Sequence, residues 1–322
     1  MSDTTTMRAI SPASWGGPEV LTAVTIERPT PGPTEILVRV YAAGVNPIDW
    51  KTRATGGFGM HGEPPVLGYD VSGVVEAVGV GVTLFQPGDE VFGMPEFPRQ
   101  AGGYAEYVTG PARHFAAKPA TLSHIEAAAL PLAGLTAWQA LVETAGLSGG
   151  QRVLIHAASG GVGHLAVQIA AVRGAHVIGT AREEKHAMLK ELGAHELIDY
   201  TRQDFAEVLG RGSVDVVVDA IGGDYGTRSL SVLRDGGTLV TLPLSDEVPP
   251  PAGDGDPRSS RSGFTLVEPD STGMRAIAAL AAEGRLRPLV ESVFPLGRAA
   301  DAHRQGEAGR TRGKIVLSVR EG

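Results

Sequence analysis

The run Arg152-Val153-Leu154-Ile155-His156-Ala157-Ala158-Ser159-Gly160-Gly161-Val162-Gly163-His164-Leu165-Ala166 reads as a strand, a glycine turn and the start of a helix. Within it, Gly161-x-Gly163-x-x-Ala166 satisfies the G-x-G-x-x-G/A pattern. Its small residues permit a tight turn, let backbone N–H groups approach a pyrophosphate, and let helix pack on strand. A diphosphate would lie against Ser159, Gly160, Gly161, Val162 and Gly163, at the positive end of a helix. Glycine turns are common in a chain with 44 glycines, and an ordinary strand–helix turn would share the pattern. What carries the reading is context: a strand before, a helix after, and a second strand roughly 15–20 residues on. That second strand, 175–180, ends without the Asp or Glu that would hold the ribose 2′-hydroxyl of NAD. Thr180, Arg182 and Lys185 follow instead, a hydroxyl and two cations suited to a phosphate. NADPH is therefore the expected cofactor, although Arg182-Glu183-Glu184-Lys185 would look the same as a solvated first helical turn.

The elements around this loop alternate. Strands at 152–156, 175–180, 195–199, 214–220 and 237–242 are separated by helices at 163–172, 183–192, near 203–209, and at 226–233. This is the pattern of a doubly wound parallel sheet. Val153-Leu154-Ile155 and Val216-Val217-Val218 are apolar on both faces, as strands covered by helices require. Residues 1 to about 120 differ, with short strand runs at 35–42, 70–78, 90–93 and 103–108 broken by turns. Gly73 inside the second run predicts a bulge or a close backbone approach. Ser123-His124-Ile125-Glu126 fits a capping box, and a helix is expected over 135–144. The Pro/Gly-rich stretch 245–262 reads as a surface loop. Beyond it come a strand at 263–267, a helix at 272–282, a strand at 289–295, a short helix at 298–306 and a last strand at 313–319.

Composition narrows the function classes. The 322 residues suffice for two domains of ordinary size. A net charge of −8 disfavours non-specific binding to nucleic acid or anionic membranes. The chain has no cysteine, which excludes disulfides, a thiol nucleophile and any Cys-ligated zinc or iron–sulfur centre. No run reaches the ~18–20 apolar residues of a membrane span, and the start is polar, so a cytoplasmic enzyme is expected.

Ordered motifs across nearly the whole chain then resemble the medium-chain dehydrogenase/reductase superfamily, in its zinc-free quinone oxidoreductase-like group. They are Gly16-Gly17-Pro18-Glu19-Val20-Leu21, Ala42-Ala43-Gly44-Val45-Asn46-Pro47-Ile48-Asp49-Trp50-Lys51 and Leu67-Gly68-Tyr69-Asp70-Val71-Ser72-Gly73. Gln86-Pro87-Gly88-Asp89-Glu90-Val91, Leu130-Pro131-Leu132-Ala133-Gly134-Leu135-Thr136-Ala137, the loop at 158–163 and Gly313-Lys314-Ile315-Val316-Leu317 complete the set. The resemblance implies a GroES-like, β-rich catalytic domain (1–122 and 269–322) and an inserted Rossmann nucleotide-binding domain (123–268).

In zinc alcohol dehydrogenases of this superfamily a Cys, a His and a second Cys hold the catalytic metal. Here Asn46, Tyr69 and Leu132 stand at the corresponding positions, a set that cannot build a tetrahedral zinc site. The nine histidines lack metal-ligand spacing, and His61, His114 and His156 read as surface or core residues. Hydride must then go to a carbon that is already electrophilic, as in a quinone or an α,β-unsaturated carbonyl. The resemblance makes Asn46 the pocket donor to the substrate oxygen, with Lys51 and Tyr69 as further candidates. A turn asparagine before Pro47, a solvated lysine and a core tyrosine would also account for these three.

For the cofactor, the resemblance points to Thr136 facing the nicotinamide, Tyr200 near the adenosine phosphate and Ala220 against the adenine ribose. Leu242, Phe264 and Leu266 would lie near the carboxamide, and Lys314 is a further phosphate candidate. An enoyl reductase acting on carrier-bound acyl chains is an alternative; it needs a basic patch, for which Arg53, Arg258 and Arg261 are candidates. A low-turnover NADPH-binding protein, like the superfamily's crystallins, is another. The group implies a homodimer, with 264–267 as a pairing edge.

Overall fold

The structure is a computed structural model, and it describes residues 5–57, 65–242 and 261–320. Contacts divide the chain into two compact units, 1–135 with 268–322, and 136–267.

The first unit opens with a two-stranded antiparallel ribbon, β1 (Thr6–Pro12) with β2 (Leu21–Glu27). Next come β3 (Glu35–Val45), helix α1 (Pro47–Thr55), β4 (Asp70–Val78), β5 (Glu90–Gly93), β6 (Tyr107–Pro111) and β7 (Phe115–Ala117). Helices α2 (His124–Ala128) and α3 (Pro131–Trp138) follow. The capping box forms as expected, with Ser123 N donating to Glu126 Oε2 at 2.8 Å and Glu126 N to Ser123 Oγ at 3.2 Å. Gly73 lies beside a register shift in the β3–β4 pair, and a Cβ there would collide with the carbonyl of Arg39.

The second unit continues α3 as a π-helical stretch, Gln139–Thr144. It then alternates β8 (Arg152–Ile155), α4 (Gly163–Val172), β9 (His176–Thr180), α5 (His186–Glu191), β10 (Glu196–Ile198), α6 (Phe205–Leu209), β11 (Val214–Asp219), α7 (Asp224–Val232), β12 (Leu233–Thr241) and β13 (Arg261–Phe264). Among the described residues these strands form one parallel sheet in the order β10-β9-β8-β11-β12-β13. The order reverses between β8 and β11, the switch point where such sheets bind ligands beyond the carboxyl ends of the strands. Val153, Leu154, Ile155, Val216, Val217 and Val218 are all buried, as two covered faces demand.

The chain then returns to the first unit with α8 (Ser271–Ala282), β14 (Val290–Pro295), α9 (Ala299–Glu307) and β15 (Lys314–Ser318). Its sheet runs β14-β15-β3-β4-β5-β7, with β6 on β3. The core is built from Ile36, Val38, Val40, Val71, Val75, Val91, Phe115, Ile315 and Leu317. The first unit is a GroES-like strand core and the second a Rossmann-like sheet.

Three expectations change. The unit boundary falls at 135/136 instead of 122/123, because α2 packs on β3 and β4. The strand expected at 103–108 begins only at Tyr107. Residues 47–55, within the stretch read as short strand runs broken by turns, form the helix α1. Most of the predicted 245–262 loop, with His61 and Arg258, lies outside the described residues. No helix among the described residues is long and apolar enough to cross a membrane.

Candidate active site

Helix α1 starts as its sequence dictates. Asn46 takes extended backbone at the N-cap, Pro47 occupies the first turn where its missing N–H costs nothing, and Asp49 sits three residues on. The Asp49 carboxylate accepts from the Asn46 backbone N–H at 2.7 Å. The Asn46 side chain turns away from its own helix toward β4 and β15.

There it joins a buried polar cluster centred on Asp70. Asn46 Nδ2 donates to Asp70 Oδ2 at 2.9 Å, and Leu132 N donates to Asp70 Oδ1 at 2.7 Å. Lys314 Nζ reaches the same Asp70 Oδ2 at 3.3 Å and donates to Asn46 Oδ1. Asp70 is fully buried and Lys314 is 3% exposed. The close approach requires Gly44, where a Cβ would collide with Ala128 O and the Asp70 side chain. Asn46 is thus oriented from both ends of its amide, with one N–H of Nδ2 committed to Asp70.

Lys314 was expected to be a phosphate ligand. Its ammonium is spent instead on a buried carboxylate of the first unit, which corrects that assignment. Tyr69 is 2% exposed and packs edge-on against Phe97; its hydroxyl donates to Pro98 O at 3.3 Å. Burial, then the Asp49 charge, pushes its phenol up to about 12. Lys51 is exposed on α1.

A second buried chain meets Asp49, which sequence reading did not find. Tyr104 Oη lies 3.1 Å from Asp49 Oδ2 and 3.2 Å from His303 Nε2. Arg53 Nη1 lies 3.3 Å from His303 Nδ1, while its Nη2 pairs with Glu307 at 2.5 Å and its Nε donates to Gly16 O at 3.0 Å. Arg53, expected as part of an exposed basic patch for an acyl carrier, is therefore a buried structural cation. Burial pushes Asp49 up to about 7, with Asp70 adding to the rise; the Asn46 N–H, Lys314 and Tyr104 oppose it. The signal for Asp49 was available in Asn-Pro-x-Asp, an N-cap, a first-turn proline and an N3 acid. The His303 link spans 250 residues and had no local signal.

In the second unit the loop after β8 is shaped from within. Ala157 takes a left-handed conformation (φ 51°), and Ala158 N donates to Thr180 O at 3.1 Å. A Cβ on Gly163 would collide with Ala157 O and the Ala158 backbone, so this glycine is required by the packing of α4 on the loop. The loop itself satisfies the opening turn of α4, His164 N donating to Gly160 O at 3.1 Å and Leu165 N to Val162 O at 3.1 Å; a diphosphate suits the positive end of such a helix. Thr180, expected to offer a hydroxyl to a phosphate, is fully buried. Its Oγ1 accepts from Ala157 N at 3.3 Å and pairs with His156 Nδ1 at 3.2 Å, so it braces the loop from behind. His156 is itself a core residue bonded to Ser229 at 2.9 Å, and His114 bonds Pro95 O at 2.8 Å.

Beyond the ends of β9 and β10, Arg182 Nε donates to Tyr200 Oη at 3.2 Å, both residues being exposed. Lys185 is half-buried, 3.7 Å from Glu184. Ala220, Leu242 and Phe264 are half-buried, Leu266 is exposed, and Thr136 is buried in α3. At the register-paired ends of β11 and β12, Asp219 Oδ2 and Thr241 Oγ1 are buried without a hydrogen-bond partner among the described residues. Unmet polar atoms beside a glycine-shaped helix N-terminus fit a bound dinucleotide.

Replacing Gly163 by Ala should therefore shift the loop and weaken NADPH binding about five- to a hundredfold, given the ~1–3 kcal/mol of an overpacked contact. An unchanged dissociation constant by calorimetry would show that the loop does not hold the cofactor.

Two family models match the chain, the alcohol dehydrogenase GroES-like domain over residues 32–120 and the zinc-binding dehydrogenase over 192–317. A quinone oxidoreductase structure from Coxiella burnetii superposes with a TM-score of 0.89 at 38% identity, covering 98% of this chain and 100% of that one. The Escherichia coli quinone oxidoreductase complexed with NADPH superposes with a TM-score of 0.83 at 30% identity, covering 97% and 99%. The 2-methylene-furan-3-one reductase of Solanum lycopersicum is 35% identical over 97% of this chain and 79% of its own length. The chain belongs to the medium-chain dehydrogenase/reductase superfamily, in the quinone oxidoreductase-like group. It is an NAD(P)H-dependent oxidoreductase acting on a small molecule.

Proposed function

We propose that this enzyme transfers hydride from NADPH to a quinone or an α,β-unsaturated carbonyl, without a metal ion. The observation that supports this reading is that Asn46, which the family resemblance matches to a zinc-ligand position, is committed to the Lys314 ammonium and the Asp70 carboxylate. A fixed cation already neutralises Asp70, and an amide, a phenol engaged with Pro98 and a leucine are poor donors for a divalent ion. The acceptor must then be activated by its own conjugation, so that incoming charge spreads onto oxygen.

NADPH, when bound, supplies the hydride. Of the chain's own residues, Asn46 offers the second N–H of its oriented amide to the oxygen that gains charge. Lys51 adds positive charge from the exposed side of α1. Tyr69 has given its hydrogen to Pro98 and in this reading helps shape the site.

NADPH is preferred to NADH because β9 ends without a carboxylate, and Arg182 with Tyr200 forms an exposed cation–hydroxyl pair. Lys185 stands one turn further on. Ser159, Gly160, Gly161, Val162 and Gly163 receive the diphosphate. Ala220, Leu242, Phe264, Leu266 and Thr136 contact the adenosine or nicotinamide ends. Two copies pair through the run 264–267, which continues from β13, the last strand of its sheet order.

The test is NADPH oxidation with 1,4-benzoquinone, 9,10-phenanthrenequinone and a short 2-alkenal. Turnover of at least one class is expected. Tight NADPH binding with no turnover of any would sink the redox reading and leave a cofactor-binding protein. Asn46→Ala should lower kcat while the NADPH dissociation constant stays unchanged.

A further inference from the structure

We propose that Tyr104 and His303 are positioning residues, acting through Asp49 to fix the Asn46 end of α1. The inference deepens the proposed function, since it rests on Asn46 as the donor to substrate.

A guanidinium only donates, so His303 Nδ1, 3.3 Å from Arg53 Nη1, must accept. The imidazole hydrogen is then on Nε2, facing Tyr104 Oη at 3.2 Å. With that donor on its oxygen, Tyr104 sends its own hydrogen to Asp49 Oδ2 at 3.1 Å. Burial and the nearby Arg53 hold His303 down at about 3, so the ring is neutral and this tautomer is its working form.

Each hydrogen in the row therefore points the same way, from an arginine anchored on Glu307 and Gly16 to the oxygen that also receives the Asn46 N–H. Trp50 packs edge-on against the His303 ring, with centroids 6.3 Å apart, and fixes its plane. A core requiring only volume would fill these positions with hydrocarbon. Here five polar groups (Arg53, His303, Tyr104, Asp49 and Asn46) are buried in series, and the series ends on the N-cap of the helix that presents Asn46.

The other charged groups near Asp49 are Asp70 on β4 and Lys314 on β15, which hold the Asn46 side chain. The backbone of Asn46 is thus set by the Tyr104 chain, and its amide by the Asp70–Lys314 pair.

Asn46 is the only asparagine in the 322 residues, so protein labelled with 15N-asparagine reports on this residue alone. Tyr104→Phe keeps the ring and deletes one donor to Asp49. The Asn46 backbone N–H, left to share a more electron-rich oxygen with fewer donors, should move downfield. His303→Leu should move it the same way by less. His303→Gln, which still accepts from Arg53 and donates to Tyr104, should recover most of what His303→Leu loses.

With a quinone as acceptor, kcat should fall about three- to tenfold in Tyr104→Phe, the scale of one hydrogen bond, with NADPH affinity intact. Because the residues act in series, the double variant Tyr104→Phe/His303→Leu should be no slower than about twofold below Tyr104→Phe alone.

Unmoved Asn46 signals in Tyr104→Phe, or kcat losses that multiply in full, would overturn the proposal. If the wild-type enzyme reduces neither quinone nor enone, the proposed function fails, and the Asn46 signals still decide this inference without substrate or cofactor. Should Tyr104→Phe not fold, the Leu and Gln variants of His303 read the same signals.

Discussion

Replacing Lys314 by Met should destabilise the protein by about 3–5 kcal/mol, the usual result of deleting one partner of a buried ion pair. Lys314 is 3% exposed and Asp70 is fully buried, so solvent does little to screen their attraction. The variant leaves the Asp70 and Asp49 carboxylates in the same interior without an ammonium between them. The transition midpoint should fall on the order of 10 °C. Adding Asp70→Asn should restore part of the loss, because the uncompensated charge is then gone. A fully stable Lys314→Met protein that binds NADPH more weakly would instead make Lys314 a phosphate ligand, and the account of this cluster would fail.

The double substitution Arg182→Ala/Lys185→Ala should raise the NADPH dissociation constant about tenfold or more, as expected on losing charge-assisted contacts to a phosphate. NADH affinity should change little, since NADH carries no 2′-phosphate. Arg182 is exposed, so the difference should shrink as salt is raised. The measurement is a pair of fluorescence titrations at low and moderate ionic strength. An equal loss for both nucleotides would show that the pair does not read the phosphate; the cofactor preference would then have to come from elsewhere in the second unit.

The parallel sheet was readable from the chain because its strands are buried on both faces. Val153-Leu154-Ile155 and Val216-Val217-Val218 can hardly be anything else, and α4 begins at Gly163 and ends at Val172 as its pattern implies. The strand-rich unit was harder. Its strands are short, and α1 follows β3 after a single residue, so the Asn46-Pro47 step looks like a turn unless Asp49 is weighed with it. The cofactor loop was legible as a motif, but its internal supports were not. Thr180 carries a hydroxyl that suits a phosphate, and only the fold shows that hydroxyl facing Ala157 and His156.

The polar centre of the first unit was least visible of all. Lys314 meets Asn46 across 268 residues, and His303 meets Arg53 across 250. No periodicity reports such pairs. They follow from β15 returning to lie against β3 and from α9 packing on α1, which are consequences of the whole sheet.

In the proposed function, hydride passes to a conjugated acceptor without a metal, beside an Asn46 amide held by Lys314 and Asp70. Elemental analysis of purified enzyme, paired with NADPH–quinone turnover before and after dialysis against a strong chelator, tests it directly. The account predicts substoichiometric zinc and undiminished turnover. One zinc per chain, with activity lost on its removal and regained on its return, would contradict it.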